Sequence, residues 1–170
     1  DAPKMIVGSQ PTDGGFLIMN ADEYRRFVAA YPELGDLVHP YMGAREFLNN
    51  KQRYVLWLKS IDKQRYIDNP FIAERLDGGK NSRLQSPTKA FRDAAQTPWL
   101  FSRDNQPSTT YLVVPRTTSG RRRYIPIGFN APSIIASDKL IIVPDASLFE
   151  FGLLSSLFHN AWMRVTAGRL

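Results

Sequence analysis

The stretch from residue 111 to residue 129 most constrains the fold, because it joins two apolar runs through a short polar segment. The runs cover residues 111–114 and 124–127, and the turn-forming residues Thr117, Thr118, Ser119 and Gly120 lie between them. Two apolar runs separated by such a loop predict a pair of adjacent strands. We therefore expect a β-ribbon at the centre of the fold.

Arginines cluster at the tip of this predicted ribbon, at Arg116, Arg121, Arg122 and Arg123, and residues 111–129 contain no carboxylate. A guanidinium presents a planar fork of donors that fits phosphates and the edges of guanine bases. A solvated, arginine-rich hairpin end would have the same composition. The residue types alone leave both interpretations open.

Composition places the chain among ordinary globular proteins. Its 170 residues are the length of one domain, and 43% hydrophobic residues can form a sizeable core. The lack of cysteine excludes disulfides and cysteine-based zinc sites and fits a reducing compartment such as the cytoplasm. No apolar run is long enough to span a membrane. A net charge of +6 favours an anionic partner such as nucleic acid.

Several other elements have clear local signals. Asn20 and Glu23 form a capping-box pattern that predicts a helix over about residues 21–31. Residues 53–59 predict a central strand. Gly78 and Gly79 are expected to interrupt the helix that Pro70 begins.

The C-terminal part predicts two short strands and a long helix. Residues 134–136 and 140–143 flank a turn at residues 137–139. Apolar residues then recur at helical spacing over residues 147–165, which predicts one long helix capped by Ser147, with Asn160 on its exposed side. Because strands and helices mix without βαβ alternation, we predict an α+β fold. The prediction is a single compact domain over residues 1–170, with a mixed or antiparallel sheet.

Motifs of catalysis are incomplete. Residues 77–81 lack the spacing and the hydroxyl of a phosphate-binding loop, and Asn69-Pro70 better fits a helix start than a base-gripping methyltransferase motif. His39 and His159 are far apart and lack a metal-ligand pattern. The tryptophans at positions 57, 99 and 162 lie in apolar contexts, where core packing is expected rather than stacking on bases. The residues therefore predict a basic, non-catalytic module without a bound cofactor or metal.

Seven segments together resemble the target-recognition domain of MmeI-like enzymes, which are single-chain bacterial restriction–modification proteins. In chain order they are GSQPTDGGFLI, FLNNKQRYVLWL, QTPWLF, YLVVP, RRRYIPIGF, IIASDKLIIVP and FGLLSSLFHNAWMRVTAGRL. The resemblance extends over nearly the whole chain, from about Met5 to Leu170. It differs at residues 78–82, where the family has a continuous, charge-rich helix and this chain has glycines.

The resemblance implies that the chain is a fragment of a longer protein and reads double-stranded DNA for a methyltransferase domain of the same polypeptide. The parent would use S-adenosylmethionine to methylate adenine at N6, with or without an active restriction endonuclease. The resemblance also implies that family residues beyond Leu170 take part in reading bases.

The expected DNA contacts divide into two kinds. Arg116, Arg121, Arg122 and Arg123 are expected to bind phosphates or enter a groove, and Arg164 and Arg169 to flank the groove. The resemblance suggests Lys139 as a base-reading residue, because a lysine there could donate to guanine O6 or N7. A solvated lysine at a strand end is the alternative.

Two other functions stay open at this point. An RNA-binding or single-strand-binding module would need aromatic side chains on an exposed sheet face. A protein-interaction domain would need a large exposed apolar patch on residues 147–165.

Overall fold

The computed structural model describes residues 3–167, which form two compact units. Unit 1 contains the described residues of Asp1–Gly8, Met42–Lys51 and Asn105–Leu170, and unit 2 consists of Ser9–Tyr41 and Gln52–Asp104. Helices and antiparallel strands occur together without βαβ alternation, which confirms the predicted α+β class. The boundary of one domain over residues 1–170 stays a prediction.

Eight strands and six α-helices are found among the described residues. The strands are β1 (Ile6–Val7), β2 (Ile18–Asn20), β3 (Val38–Met42), β4 (Arg53–Leu56), β5 (Tyr111–Pro115), β6 (Gly128–Asn130), β7 (Ile135–Ala136) and β8 (Leu140–Pro144). The helices are α1 (Ala21–Ala30), α2 (Ala44–Asn49), α3 (Pro70–Leu84), α4 (Lys89–Asp93), α5 (Leu148–Ser155) and α6 (Leu157–Thr166).

The sheet of unit 1 has the order β1-β8-β5-β6, and all its neighbours are antiparallel. Strand β5 lies centrally and is almost wholly buried. Its residue Val113 pairs with Ile142 on one side and Gly128 on the other. Alternate residues of β5 and β8 form the core of this unit, together with Ala136: Tyr111, Val113, Leu140 and Ile142. The predicted central position of the first ribbon strand is therefore confirmed.

The second strand of the ribbon was predicted wrongly at residues 124–127, since β6 begins only at Gly128. Pro126 has no N–H to contribute to a strand ladder. The Ile125 N–H donates instead to the side chain of Asn160, at 2.7 Å. The connection between β5 and β6 is consequently long, and we call residues 116–127 the arginine loop.

The long C-terminal helix was also predicted wrongly, because Ser156 divides it into α5 and α6. Ser156 has an extended backbone (φ −61°, ψ 153°), and its hydroxyl accepts the His159 N–H at 3.1 Å as the N-cap of α6. The predicted cap of α5 at Ser147 is confirmed, with Glu150 completing a capping box. The Ser147 hydroxyl and N–H lower the pKa of the Glu150 carboxyl.

Unit 2 packs α1 and α3 with a sheet in which β4 pairs antiparallel with both β2 and β3. The predicted capping box of α1 is present, since the Asn20 side chain accepts the Glu23 N–H and the Glu23 carboxylate accepts the Asn20 N–H, both at 2.9 Å. Strand β4 ends at Leu56, earlier than the predicted end at Lys59. The Phe27 side chain of α1 is buried.

Helix α3 runs without a break through Gly78 and Gly79, so the predicted interruption there was wrong. A Cβ atom at Gly78 would lie 2.3 Å from the Phe16 ring, and one at Gly79 would lie 3.4 Å from Asp13 Cβ. The two glycines therefore let α3 approach the loop before β2 closely. Packing in this case outweighs the helix-propensity cost of about 1 kcal/mol per glycine.

A glycine-to-alanine change at Gly8 should destabilise unit 1 by about 1–3 kcal/mol through overpacking. Gly8 is buried at the end of β1, and a Cβ there would lie 2.3 Å from the Ser137 carbonyl oxygen. Gly120→Ala is the matched control, because a Cβ there would have no described atom within 4 Å apart from its chain neighbours. The free energy of unfolding in urea measures both variants. Equal stability of the two variants would contradict the close approach.

Candidate nucleic-acid interface

Pairing of β5 with β8 brings Arg116 and Lys139 together at one end of the unit 1 sheet. Pro115 pairs with Leu140, and just beyond them the Arg116 N–H donates to the Lys139 carbonyl at 3.1 Å. Two residues that are 23 positions apart in the chain thus become neighbours. The start of the arginine loop lies beside the turn between β7 and β8.

The turn that carries Lys139 is held by hydrogen bonds on both sides. Ser137 is buried, its N–H donates to the Met42 carbonyl at 2.8 Å, and its hydroxyl accepts the Lys139 N–H at 3.2 Å. Arg116 Nη1 donates to the Asp138 carbonyl at 3.2 Å. The turn therefore has a defined backbone on which the Lys139 side chain is carried.

The Lys139 ammonium is 2.9 Å from the Asp138 carboxylate, while 67% of the Lys139 side chain stays exposed. An ammonium has three donors, so donors remain for an external acceptor. The adjacent carboxylate partly neutralises the charge and restrains the ammonium. This geometry fits a directed hydrogen-bond donor, and it also fits a solvated ion pair at a strand end, so the base-reading role of Lys139 stays a prediction.

The guanidiniums of Arg121, Arg122 and Arg123 are exposed on the arginine loop. A turn shapes the backbone there, since the Arg122 N–H donates to the Ser119 carbonyl at 3.1 Å and the Arg121 N–H to the Ser119 hydroxyl at 3.3 Å. The Arg123 guanidinium lies 5.4 Å from the centroid of the exposed Tyr124 ring. Within the described part of the chain, none of the three guanidiniums is in an ion pair. Their charge is thus available to an anion outside the chain.

Helix α6 contacts the backbone of the arginine loop through two side chains. Arg164 Nη2 donates to the carbonyls of Arg122 and Arg123, at 2.7 and 2.9 Å. Asn160 accepts the Ile125 N–H through Oδ1, and its Nδ2 donates to the carbonyls of Ser155 and Ser156 at 3.3 and 2.8 Å. Arg164 therefore lies with the loop arginines, whereas Arg169 lies outside the described residues.

Asn160 was missed by the sequence analysis, which wrongly expected it to be exposed; only 2% of it is accessible. The expectation assumed one continuous helix, and the break at Ser156 changes which positions of α6 face the sheet. The sequence does contain one signal. Asparagine is a poor helix former, so an asparagine between apolar residues in a helix points to a specific hydrogen bond.

The outward surface of α5 and α6 is strongly apolar. Phe151 packs against Phe129 of β6, with ring centroids 5.8 Å apart, and so faces inward. Seven other side chains are between 54% and 85% exposed: Leu148, Phe149, Leu153, Leu157, Phe158, Trp162 and Val165. We call this set the apolar face. Trp162 was wrongly expected in the core, because helical periodicity cannot tell which partner covers an apolar side chain.

The described residues contain no group of three or more histidine, aspartate or glutamate side chains arranged to hold a metal ion. None of the helices in residues 3–167 is both long and apolar enough to cross a membrane. His39 lies on β3 in unit 2, and His159 lies in the first turn of α6 in unit 1.

Comparison with known proteins identifies the family of this chain. The family described as "MmeI, target recognition domain" matches residues 1–170. DNA methyltransferase A of Bacillus subtilis (strain 168) is 38% identical over 171 residues, which cover 100% of this chain and 19% of that protein.

A solved structure of the Type IIL restriction–modification enzyme MmeI in complex with DNA has a TM-score of 0.96 and 37% identity to this chain. The match covers 100% of this chain and 23% of the MmeI chain. The chain thus spans about a fifth of the length of these relatives. The resemblance noted in the sequence is confirmed, and the chain belongs to the MmeI target-recognition-domain family.

Proposed function

We propose that this chain recognises a specific sequence in double-stranded DNA. The observation that carries the proposal is the arginine loop, where three exposed guanidiniums, none in an ion pair with a described residue, project from a backbone held by α6. Because duplex DNA carries closely spaced phosphates, such a loop is suited to neutralise several of them at once. Family membership and the DNA-bound MmeI structure support the same assignment.

The chain acts, in this proposal, as one part of a longer cytoplasmic polypeptide. The remainder of that polypeptide binds S-adenosylmethionine and methylates adenine at N6, with or without an active restriction endonuclease. The relatives support this view, since one carries the name DNA methyltransferase and another is a restriction–modification enzyme, and this chain covers only 19% and 23% of their lengths. The chain itself positions the methyltransferase on its site and has no catalytic role.

Two groups of residues divide the recognition between them. Arg121, Arg122 and Arg123 bind phosphates and position the domain, and Arg116 contributes positive charge beside them. Arg164 holds the backbone of their loop. Lys139 reads a base edge in the major groove from the turn between β7 and β8. A side chain that contacts a base edge needs a fixed backbone, and the hydrogen bonds of Ser137 and Arg116 provide one at this turn.

Methylation-sensitive sequencing of a host that expresses the full-length polypeptide tests the proposal directly. We expect one modified adenine in a fixed sequence context. Binding competition between a duplex of that sequence, a shuffled duplex and the separated single strands then isolates recognition. The RNA-binding or single-strand-binding alternative requires the single strands to compete best, and that result would overturn the proposal.

Substitution of Lys139 should change which base is accepted at one position of the site. A bidentate or direct base contact contributes about 1–3 kcal/mol of discrimination, so Lys139→Gln should relax or alter one position and leave the others unchanged. Methylation-site mapping of the variant measures this. Lys89→Gln is the matched control, because Lys89 is an exposed lysine of unit 2 that also lies beside a carboxylate. An unchanged recognition sequence in the Lys139 variant would exclude it as a base reader.

A second contact is favoured by the apolar face of α5 and α6, which has the exposed apolar patch expected of a protein-interaction surface. We propose that this face packs against the methyltransferase part of the same polypeptide. Phe158→Asp should then lower the stability of the full-length polypeptide by about 1.5–3 kcal/mol, the amount gained by burying a phenylalanine. The same change in the 170-residue chain should have little effect, because Phe158 is 80% exposed there. Equal effects in the two proteins would contradict the contact.

A further inference from the structure

We propose that α6 is the positioning element of the arginine loop, and that Asn160 and Arg164 act on DNA binding through this loop rather than by touching DNA. This inference rests on the proposed function, because it concerns how the three loop arginines are presented to phosphates. It assigns Arg164 a role different from the direct groove contact expected from the sequence.

The hydrogen bonds that Asn160 and Arg164 of α6 make to the loop all go to backbone atoms. Arg164 binds the carbonyls of Arg122 and Arg123, and Asn160 binds the N–H of Ile125. The guanidiniums of Arg122 and Arg123 are left exposed. Hydrogen bonds to the main chain therefore fix the direction in which these guanidiniums project. The guanidiniums themselves stay available to bind phosphates.

Asn160 holds the loop more firmly than Arg164 does, because its side-chain amide makes three hydrogen bonds and only 2% of the residue is exposed. Its Nδ2 donates to the carbonyls of Ser155 and Ser156, which sets the orientation of the amide so that Oδ1 faces Ile125. Those two carbonyls lie at the junction of α5 and α6. Asn160 therefore links the arginine loop to the junction of α5 and α6. The helix break at Ser156 makes this contact between Asn160 and Ile125 possible.

The hydrogen bonds from Asn160 and Arg164 matter because few other interactions order the arginine loop. Residues 116–127 contain no strand or helix, and no apolar side chain among them is fully buried. Fixing the backbone of a free residue costs about 1–2 kcal/mol. A loop that is already held before DNA arrives avoids part of this cost on binding, which strengthens the complex without any new contact.

A double-mutant cycle in the full-length polypeptide tests the positioning role. The duplex carries the site mapped by methylation-sensitive sequencing. Asn160→Leu and Arg164→Met are each measured in the native background and in a background with Arg121, Arg122 and Arg123 all changed to alanine. We expect either change to weaken duplex binding about tenfold in the native background. In the alanine background we expect less than a twofold effect, because the side chains being positioned are gone.

Hydrogen exchange at the Ile125 amide supplies a readout that does not depend on DNA. The amide should be protected in the native protein and exchange faster in Asn160→Leu. Arg164→Gln should retain more duplex affinity than Arg164→Met, since an amide can still donate to one loop carbonyl.

Three outcomes overturn the inference. Equal effects of Asn160→Leu in both backgrounds would show a general structural role, and a full effect of Arg164→Met in the alanine background would show a direct contact with DNA. Faster Ile125 exchange with unchanged duplex affinity would show that loop order has no bearing on binding. If Asn160→Leu fails to fold, the Arg164 cycle decides alone. Failure of the native polypeptide to prefer duplex DNA would instead refute the proposed function.

Discussion

Arg83→Met is expected to cost about 3–5 kcal/mol of stability, because it would leave buried carbonyls without a donor, at about 1–3 kcal/mol each. Arg83 is the largest of the fully buried side chains among the described residues, with 1% exposure. Its Nη1 donates to the carbonyls of Ala94 and Thr97 at 2.8 and 2.9 Å, and its Nη2 to those of Pro11 and Leu100 at 2.7 and 2.6 Å. One guanidinium thus joins α3 to two other segments of unit 2.

The large expected cost follows from the acceptors that would be left behind. A methionine has a similar shape but no donor, so four carbonyls would lose their bond to Arg83. The carbonyls of Ala94 and Thr97 keep a backbone N–H donor, whereas those of Pro11 and Leu100 would be left unsatisfied, at a cost of about 1–3 kcal/mol each. Water that enters the space left by the guanidinium can donate to some of these carbonyls, which restores part of the lost stability. Burial lowers the pKa of the Arg83 guanidinium, and the nearby Asp13 carboxylate opposes the shift. Arginine still remains protonated under ordinary conditions, so the charge has to be stabilised by these four carbonyls.

Arg92→Met is the matched control for this experiment. Arg92 also donates to two backbone carbonyls, those of Ser86 and Pro87, but it is exposed. Water can replace those bonds, so we expect a loss of less than about 1 kcal/mol. Urea unfolding followed by circular dichroism measures both variants and Arg83→Lys, which should be intermediate. Equal losses for Arg83→Met and Arg92→Met would contradict the account of the buried network.

Arg83 also shows where sequence analysis of such a chain reaches its limit. An arginine in the segment Gly79-Lys80-Asn81-Ser82-Arg83 is typical of a solvated helix end, and no periodicity distinguishes it from its neighbours. Its burial depends on carbonyls more than ten positions away in the chain. Gly78 and Gly79 likewise depend on a contact distant in the chain. They are tolerated in α3 because the helix packs closely against the loop before β2.

Elements whose cause is local were predicted well. The α1 capping box depends on residues three positions apart, and β5 and β8 are continuous apolar runs whose residues are largely buried on both faces of the sheet. The candidate interface is divided in the same way. The arginine cluster is visible in the sequence, but its support by Asn160 and Arg164 depends on a helix break that the apolar spacing of residues 147–165 conceals.

The arginine loop should contribute the largest single part of DNA binding. A phosphate contact contributes a slope of about −0.9 to the dependence of log K on log salt, so each contact strengthens binding roughly eightfold at about 0.1 M salt. Arg122→Ala should therefore reduce the magnitude of the slope by about one unit. Changing Arg121, Arg122 and Arg123 together should reduce it by up to about three units and weaken binding by a factor on the order of 10² to 10³.

The loss should be nearly the same for the specific duplex and for a shuffled one, because phosphates carry no sequence information. This separates the loop from Lys139, whose substitution should act on one base position with little change in slope. Binding of the full-length polypeptide, titrated at several salt concentrations, measures both quantities.

Arg25→Ala and Arg26→Ala are controls, since both residues are exposed on α1 of unit 2. If the triple variant keeps the native slope, the loop does not contact phosphates, and its charge belongs to a solvated hairpin end. If the slope persists while the recognised sequence changes, the loop arginines read bases themselves.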